Sequence, residues 1–133
     1  MVTYAVPNDI SNIKAFDKWV SDQMLAKAIT DERVLVFKSA DIIMGIARWN
    51  YFWDSIPFLN MLYVPDVYTH HGVGSELLKY WEGEMQKQGH TRVFTSTMAQ
   101  ERGQHFFRKF GYRDIGNLYD EGVGLELILE KRF

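Results

Sequence analysis

Between Ile56 and Gly89 the residue pattern changes twice within a few positions, and this constrains the fold more than any other feature of the chain. Ile56 to Val64 is a β-rich run with Pro57 near its start, where a missing N–H is tolerable. A short turn then carries Gly72 and Gly74, spaced one residue apart. From Gly74 to Gln88, Leu77, Leu78, Trp81 and Met85 recur on one side of a helix, and Gly89 supplies its C-terminal stop. Strand, glycine turn and helix in direct succession aim several backbone N–H groups and the positive end of a helix dipole at one point. That point suits an anion, phosphate above all. Glycine matters because a side chain would hold the guest away from the backbone. The turn lacks the Gly-Lys-Ser/Thr ending of a nucleotide P-loop and the longer G-x-G-x-x-G of a dinucleotide site.

The remaining chain supplies the scaffold for such a site. Its 133 residues predict a single domain over 1–133, large enough to bury a real core. With 47% hydrophobic residues it is expected to be ordered. A formal charge of −2 gives no electrostatic footprint for nucleic acid, and no apolar run approaches the roughly 20 residues that span a bilayer. Cysteine is absent, which excludes disulfides, thiolate metal sites and a cysteine nucleophile. Met1 to Asp9 shows no basic region followed by an apolar one, so the expectation is a cytoplasmic protein. Thr3 to Val6 reads as a strand. Ile10, Ile13, Phe16 and Val20 predict a helix capped by Asp9 or Ser11, and a second helical piece spans Asp22 to Ile29. Val34 to Lys38 and Ile42 to Trp49 read as a hairpin, and Asn50 to Ser55 as a turn-rich connection. After the glycine turn and its helix come a strand (Arg92 to Thr97), a helix (Glu101 to Phe110) and two strands (Arg113 to Leu118, Val123 to Lys131). An antiparallel first half running into a strand-helix-strand unit predicts a mixed α/β (α+β) sheet with helices on both faces.

Two segments carry a family resemblance. In the first, Leu62 and Val64 precede Thr69, Gly72 and Gly74, which resembles Leu-x-Val, a few residues, then Arg/Gln-x-x-Gly-x-Gly/Ala. In the second, Gln100 to Tyr112 resembles Asn-x-x-Ala-x-x-Phe/Leu-Tyr-x-Lys-x-Gly-Phe/Tyr, with Phe106, Lys109, Gly111 and Tyr112 fitting and Gly103 at the small-residue position. Both are signatures of the GCN5-related N-acetyltransferases. The resemblance implies a twisted mixed sheet of six or seven strands and transfer of an acetyl group from acetyl-coenzyme A to a primary amine. It implies no metal. The acceptor it implies is a small-molecule or peptide amine, and its members are often homodimers.

Carried over by position, backbone groups of Leu62, Tyr63 and Val64 would bind the pantetheine arm and the acetyl carbonyl. Thr69, His70, His71, Gly72, Val73, Gly74 and Ser75 would bind the pyrophosphate. Gln100 stands where Asn is usual and can still hydrogen-bond the cofactor. Phe107 replaces a Tyr that protonates the departing thiolate in many members, and Phe has no proton to give. Asn60 stands where a Glu base is common, so it could only hold a water that accepts the proton. Asp54, the nearest carboxylate in sequence, reads either as a base on the acceptor side or as a turn-capping residue. Trp49 and Trp53 likewise read as acceptor lining or as scaffold. Adjacent His70 and His71 lack a carboxylate or cysteine at ligand spacing, so no metal centre is expected. Ser75 is not in a G-x-S-x-G elbow and reads as a cap or phosphate contact. Phe107 and Asn60 also leave open a second class, a coenzyme A-binding module without catalysis.

Overall fold

A computed structural model describes all 133 residues. The elements are β1 (Val2–Tyr4), α1 (Ile10–Lys14), α2 (Asp22–Thr30), β2 (Val34–Ser39), β3 (Ile42–Phe52), β4 (Ile56–Tyr63), α3 (Val73–Lys87), β5 (Arg92–Met98), α4 (Gly103–Lys109), β6 (Arg113–Asp120) and β7 (Gly124–Arg132). Single 3-10 turns lie at Pro7–Asp9 and Asp66–Tyr68. The strands form one mixed sheet of seven, in the order β1-β2-β3-β4-β5-β7-β6. β4 and β5 pair in parallel, which requires a crossover, and α3 supplies it. The chain divides into two compact units, Met1–Asn50 with Asn60–Glu84 and Tyr51–Leu59 with Met85–Phe133.

In the first unit, Ala5, Ile13, Leu25, Val34, Val36, Ile43 and Ile46 are buried in one cluster. The predicted helical stripe of α3 is confirmed, because Leu77, Leu78, Trp81 and Met85 are each 0% exposed. Full burial of such side chains stabilises by about 1.5–3 kcal/mol each. Trp49 is buried too, its ring 6.1 Å from that of Trp81 and 6.5 Å from that of Tyr4, so it is scaffold and does not line an acceptor pocket. Tyr4 donates to Glu84 Oε1 at 2.8 Å, and burial followed by that bond raises its pKa well above the ordinary phenol range.

The first helix differs from expectation. It stops at Lys14, and Phe16 and Val20 reach the core from an irregular segment, residues 15–21. Ser21 ends that segment by capping α2, its Oγ accepting from Met24 N–H at 3.1 Å. Lys14 Nζ donates to the Val20 carbonyl and so ties the segment's two ends together. Apolar spacing was kept while the backbone left the helix.

In the second unit, β5 pairs antiparallel with β7 from Arg92↔Arg132 to Met98↔Glu126, and β6 pairs with β7. Thr95 Oγ1 donates to the Leu59 carbonyl at 3.0 Å. Gly103, at the family's small-residue position, faces β5, and a Cβ there would meet Thr97 Oγ1 at 2.8 Å. The expected turn-rich connection is much shorter than predicted. β3 continues to Phe52, and only Trp53, Asp54 and Ser55 lie between it and β4.

Candidate active site

The glycine turn takes the strand-turn-helix form expected of it. Pro65 and the 3-10 turn come after β4, and Thr69 Oγ1 donates back to the Asp66 carbonyl at 2.8 Å. His70 (φ 67°) and Gly72 (φ 80°) both lie in the left-handed region. At Gly72 this conformation requires glycine, and a Cβ there would meet nothing within 4 Å. Its backbone therefore borders open space. α3 begins at Val73, one residue ahead of the predicted start. Its first helical bond runs from Glu76 N–H to the Gly72 carbonyl at 3.0 Å. The N–H groups of Val73, Gly74 and Ser75 precede that bond, have no intrahelical acceptor, and stand at the positive end of a 15-residue helix. His70 and His71 are exposed, whereas Val73 is buried and fixes the helix start to the core.

Gly45 of β3 explains how α3 comes to start there. A Cβ on it would meet Val73 Cγ1 at 2.8 Å, Leu77 Cδ1 at 2.9 Å and the Tyr63 carbonyl at 3.2 Å. This glycine therefore lets the helix start and the end of β4 approach β3. Its signal was available in the sequence, since a glycine inside a strand pattern marks close backbone approach.

Along β4, Asn60 and Leu62 share one face, and Met61 and Tyr63 the other. Asn60 is exposed, Leu62 and Val64 are half-buried, and Tyr63 is 38% exposed. Met61 packs on the core cluster, and the Tyr63 ring stacks on Phe16 at 5.6 Å and 29°. The 15–21 segment thus lies against the C-terminal part of β4. It is pinned from below by Asp17, which is 0% exposed and accepts from Arg48 Nε at 2.7 Å and Nη2 at 3.3 Å. Trp19, on the same segment, is 89% exposed. Asp17 and Arg48 lie 31 residues apart, and no local pattern links them in the sequence.

In the chain, Asp54 precedes β4 and Val64 follows it. Asp54 is exposed, with φ 64° at the second turn position, and Ser55 N–H donates to the Phe52 carbonyl across the turn at 3.2 Å. In the second unit, Gln100 is exposed and its carboxamide lies against Gly124, with Nε2 3.7 Å from the position of a Cβ there. Phe107 is buried between Phe106 (5.4 Å, edge-on) and Tyr112 (5.3 Å). No group of three or more His, Cys, Asp or Glu side chains is gathered in a way that could hold a metal ion.

A family model described as an acetyltransferase (GNAT) domain matches residues 5–126, a span that takes in segments of both units. The chain belongs to the GNAT family of acetyltransferases. Solved structures agree in fold. A GNAT-family acetyltransferase from Bacillus cereus ATCC 10987 is 23% identical with a TM-score of 0.80, covering 99% of this chain and 96% of its own. The PaiA N-acetyltransferase from Thermoplasma acidophilum, solved with coenzyme A, is 18% identical with a TM-score of 0.80 over 100% and 98%. Arabidopsis thaliana Naa50, solved with the bisubstrate analogue CoA-Ac-MVNAL, is 18% identical with a TM-score of 0.82 over the same shares. Comparison with curated proteins gives no match.

Proposed function

We propose that this acetyltransferase uses acetyl-coenzyme A and passes its acetyl group to a primary amine by direct attack. The observation that carries the reading is the free donor set at Val73, Gly74 and Ser75 beside the open backbone of Gly72. Those N–H groups suit a pyrophosphate, and His70 and Thr69 shape the approach to it. Acetyl-coenzyme A supplies an acyl group already activated as a thioester. The chain's part is then mainly positioning, worth up to about 7–11 kcal/mol of a barrier when reactants are held in line. Backbone groups of Leu62 to Val64 hold the arm and give a donor to the carbonyl oxygen as negative charge grows on it. Asn60 holds a water that takes the proton from the amine. Gln100 and Phe107 are proposed as further cofactor contacts on the strength of the second signature.

On the acceptor side, the braced 15–21 segment with Phe16 on Tyr63 supports a wall for the incoming amine. The bisubstrate complex of the Arabidopsis neighbour supports a peptide amine as the class to try first. Asp54 stays the alternative base, although its place in a tight turn before β4 supports a structural role.

A non-catalytic coenzyme A-binding module is the second reading, favoured by Phe107, which offers no proton and is packed among rings. A thiolate leaves tolerably in water, since a thiol pKa is about 8.5, so the side-chain acid is helpful without being required. An acceptor screen that reads coenzyme A release, with amines ranging from polyamines to peptide N-termini, tests the proposal. Thiol release above hydrolysis with at least one amine is expected from the wild type. Tight binding of acetyl-coenzyme A with no release from any amine, together with release by Phe107→Tyr, would establish the second reading instead.

A further inference from the structure

Glu130 of β7 lies at the centre of an unbalanced charge cluster in the second unit. Its side chain is 12% exposed and accepts from Arg92 Nη1 at 3.2 Å and Arg132 Nε at 3.0 Å. Arg113 of β6 stands opposite it on the other side. Three guanidinium groups and one carboxylate leave a local charge of +2 in a chain whose formal charge is −2. Arg92 also stands opposite Arg132 across the β5–β7 ladder, and like charges so placed are destabilising.

Other carboxylates nearby are committed or distant. Asp114 is on the opposite face, paired with Leu129, and its two oxygens accept from Arg108, each at 3.0 Å. The next acidic residue of β7 on the face of Glu130 is Glu126, four positions and about 13 Å along the strand. The Arg113 side chain has no ion-pair or hydrogen-bond partner. A purely structural brace would balance its charges, and this cluster does not. Its geometry is nevertheless held. The Arg92 guanidinium lies over the buried Phe94 ring, 5.3 Å from the centroid, and Phe133 N–H donates to the Thr91 carbonyl at 2.9 Å, which carries the ladder past Arg132.

The cluster borders a cavity of about 360 Å³ lined by Gly111, Arg113, Glu130 and Arg132. Small-molecule sites run from about 300 to 1,000 Å³. A bulge keeps its surroundings open. Register passes from Asp114↔Leu129 to Gly116↔Ile128, so Ile115 is the extra residue. The next position on the face of Arg113 therefore belongs to Gly116, where a Cβ would meet nothing within 4 Å. In a regular strand Ile115 would stand there.

We propose that this cavity binds a small molecule through a phosphate monoester, held by Arg113 and Arg132, with Arg92 and Glu130 fixing the arrangement. Charge decides the class. A phosphate monoester carries about −1.5 to −2 at neutral pH and three acceptor oxygens, which matches the unbalanced +2, whereas a single carboxylate would leave one charge over. Arg92 opens β5 and Gln100 lies beyond its other end, so the cavity is separate from the cofactor contact proposed in this unit. The site does not depend on the reading of the acetyl-transfer chemistry.

Amide-resolved NMR of the full chain, titrated with inorganic phosphate and separately with acetate at constant ionic strength, tests this. Phosphate should give saturating shifts at Gly111, Arg113, Glu130 and Arg132, and acetate should not saturate. Arg113 is exposed, so Arg113→Gln should keep the fold while weakening phosphate at the cavity about tenfold, and Arg132→Gln should weaken it as well. Gly74→Glu should leave affinity at the cavity unchanged, which separates this site from the first turn of α3. Phosphate shifts that never saturate at the cavity, or that are confined to Gly72 to Ser75, would overturn the proposal. So would equal affinity in wild type, Arg113→Gln and Arg132→Gln, or acetate binding as tight as phosphate.

Discussion

The two ends of β4 make turns from the same kind of backbone and put them to different uses. Before the strand, Trp53 (φ 51°) and Asp54 (φ 64°) close a two-residue hairpin turn. After it, His70 (φ 67°) and Gly72 (φ 80°) lead into α3. A left-handed non-glycine residue costs about 1–2 kcal/mol, so both ends carry strain. Strain alone therefore does not mark a functional turn here. The element that each turn leads into makes the difference. A strand draws the chain straight into a ladder, whereas a helix leaves its first N–H groups without partners and adds its dipole.

Substitutions that remove the support of each end should have unequal effects. The largest effect is expected from Asp17→Ala, which leaves Arg48 without its buried partner and should lower stability by about 3–5 kcal/mol. Thermal or denaturant unfolding measures it, and a loss below about 1 kcal/mol would show that the pair does not brace the 15–21 segment. Gly45→Ala comes next. Its Cβ cannot coexist with Val73 and Leu77 as they stand, so about 1–3 kcal/mol of stability should be lost as α3 is displaced. Coenzyme A affinity should fall with it, and a variant that binds as tightly as wild type would separate the helix start from the site.

The smallest effect belongs to the hairpin end. Replacing Trp53-Asp54 by Asn-Gly, the residues that such a turn favours, should raise stability by about 1 kcal/mol and leave coenzyme A affinity unchanged. Kinetics of Asp54→Asn with a working acceptor then decide between the two roles of that carboxylate. Unchanged kcat/KM assigns Asp54 to the turn, while a fall in kcat/KM at constant cofactor affinity assigns it to acceptor chemistry.

The same contrast explains what was legible in the sequence. The glycine turn could be read because Gly72 answers a backbone requirement and the stripe of Leu77, Leu78, Trp81 and Met85 has helical period. The end of α1 could not be read, since Phe16 and Val20 keep helical spacing while packing from irregular backbone. Asn50 to Phe52 looked like part of a loop because Asn, Asp and Ser cluster around them, yet the aromatic residues extend β3. The brace from Asp17 to Arg48 joins positions that only tertiary folding brings together. The bulge at Ile115 leaves no mark in composition, because the register against β7 defines it.

We propose that the first turn of α3, opened by Gly72, holds the phosphates of coenzyme A. Titration calorimetry of coenzyme A against wild type and Gly74→Glu tests it most directly. A glutamate in the first turn suits the helix dipole, so the variant should fold, while its bulk and charge compete with phosphate. Affinity should fall at least about tenfold, equivalent to about 1.4 kcal/mol. Unchanged affinity in a folded Gly74→Glu protein would place the phosphates elsewhere.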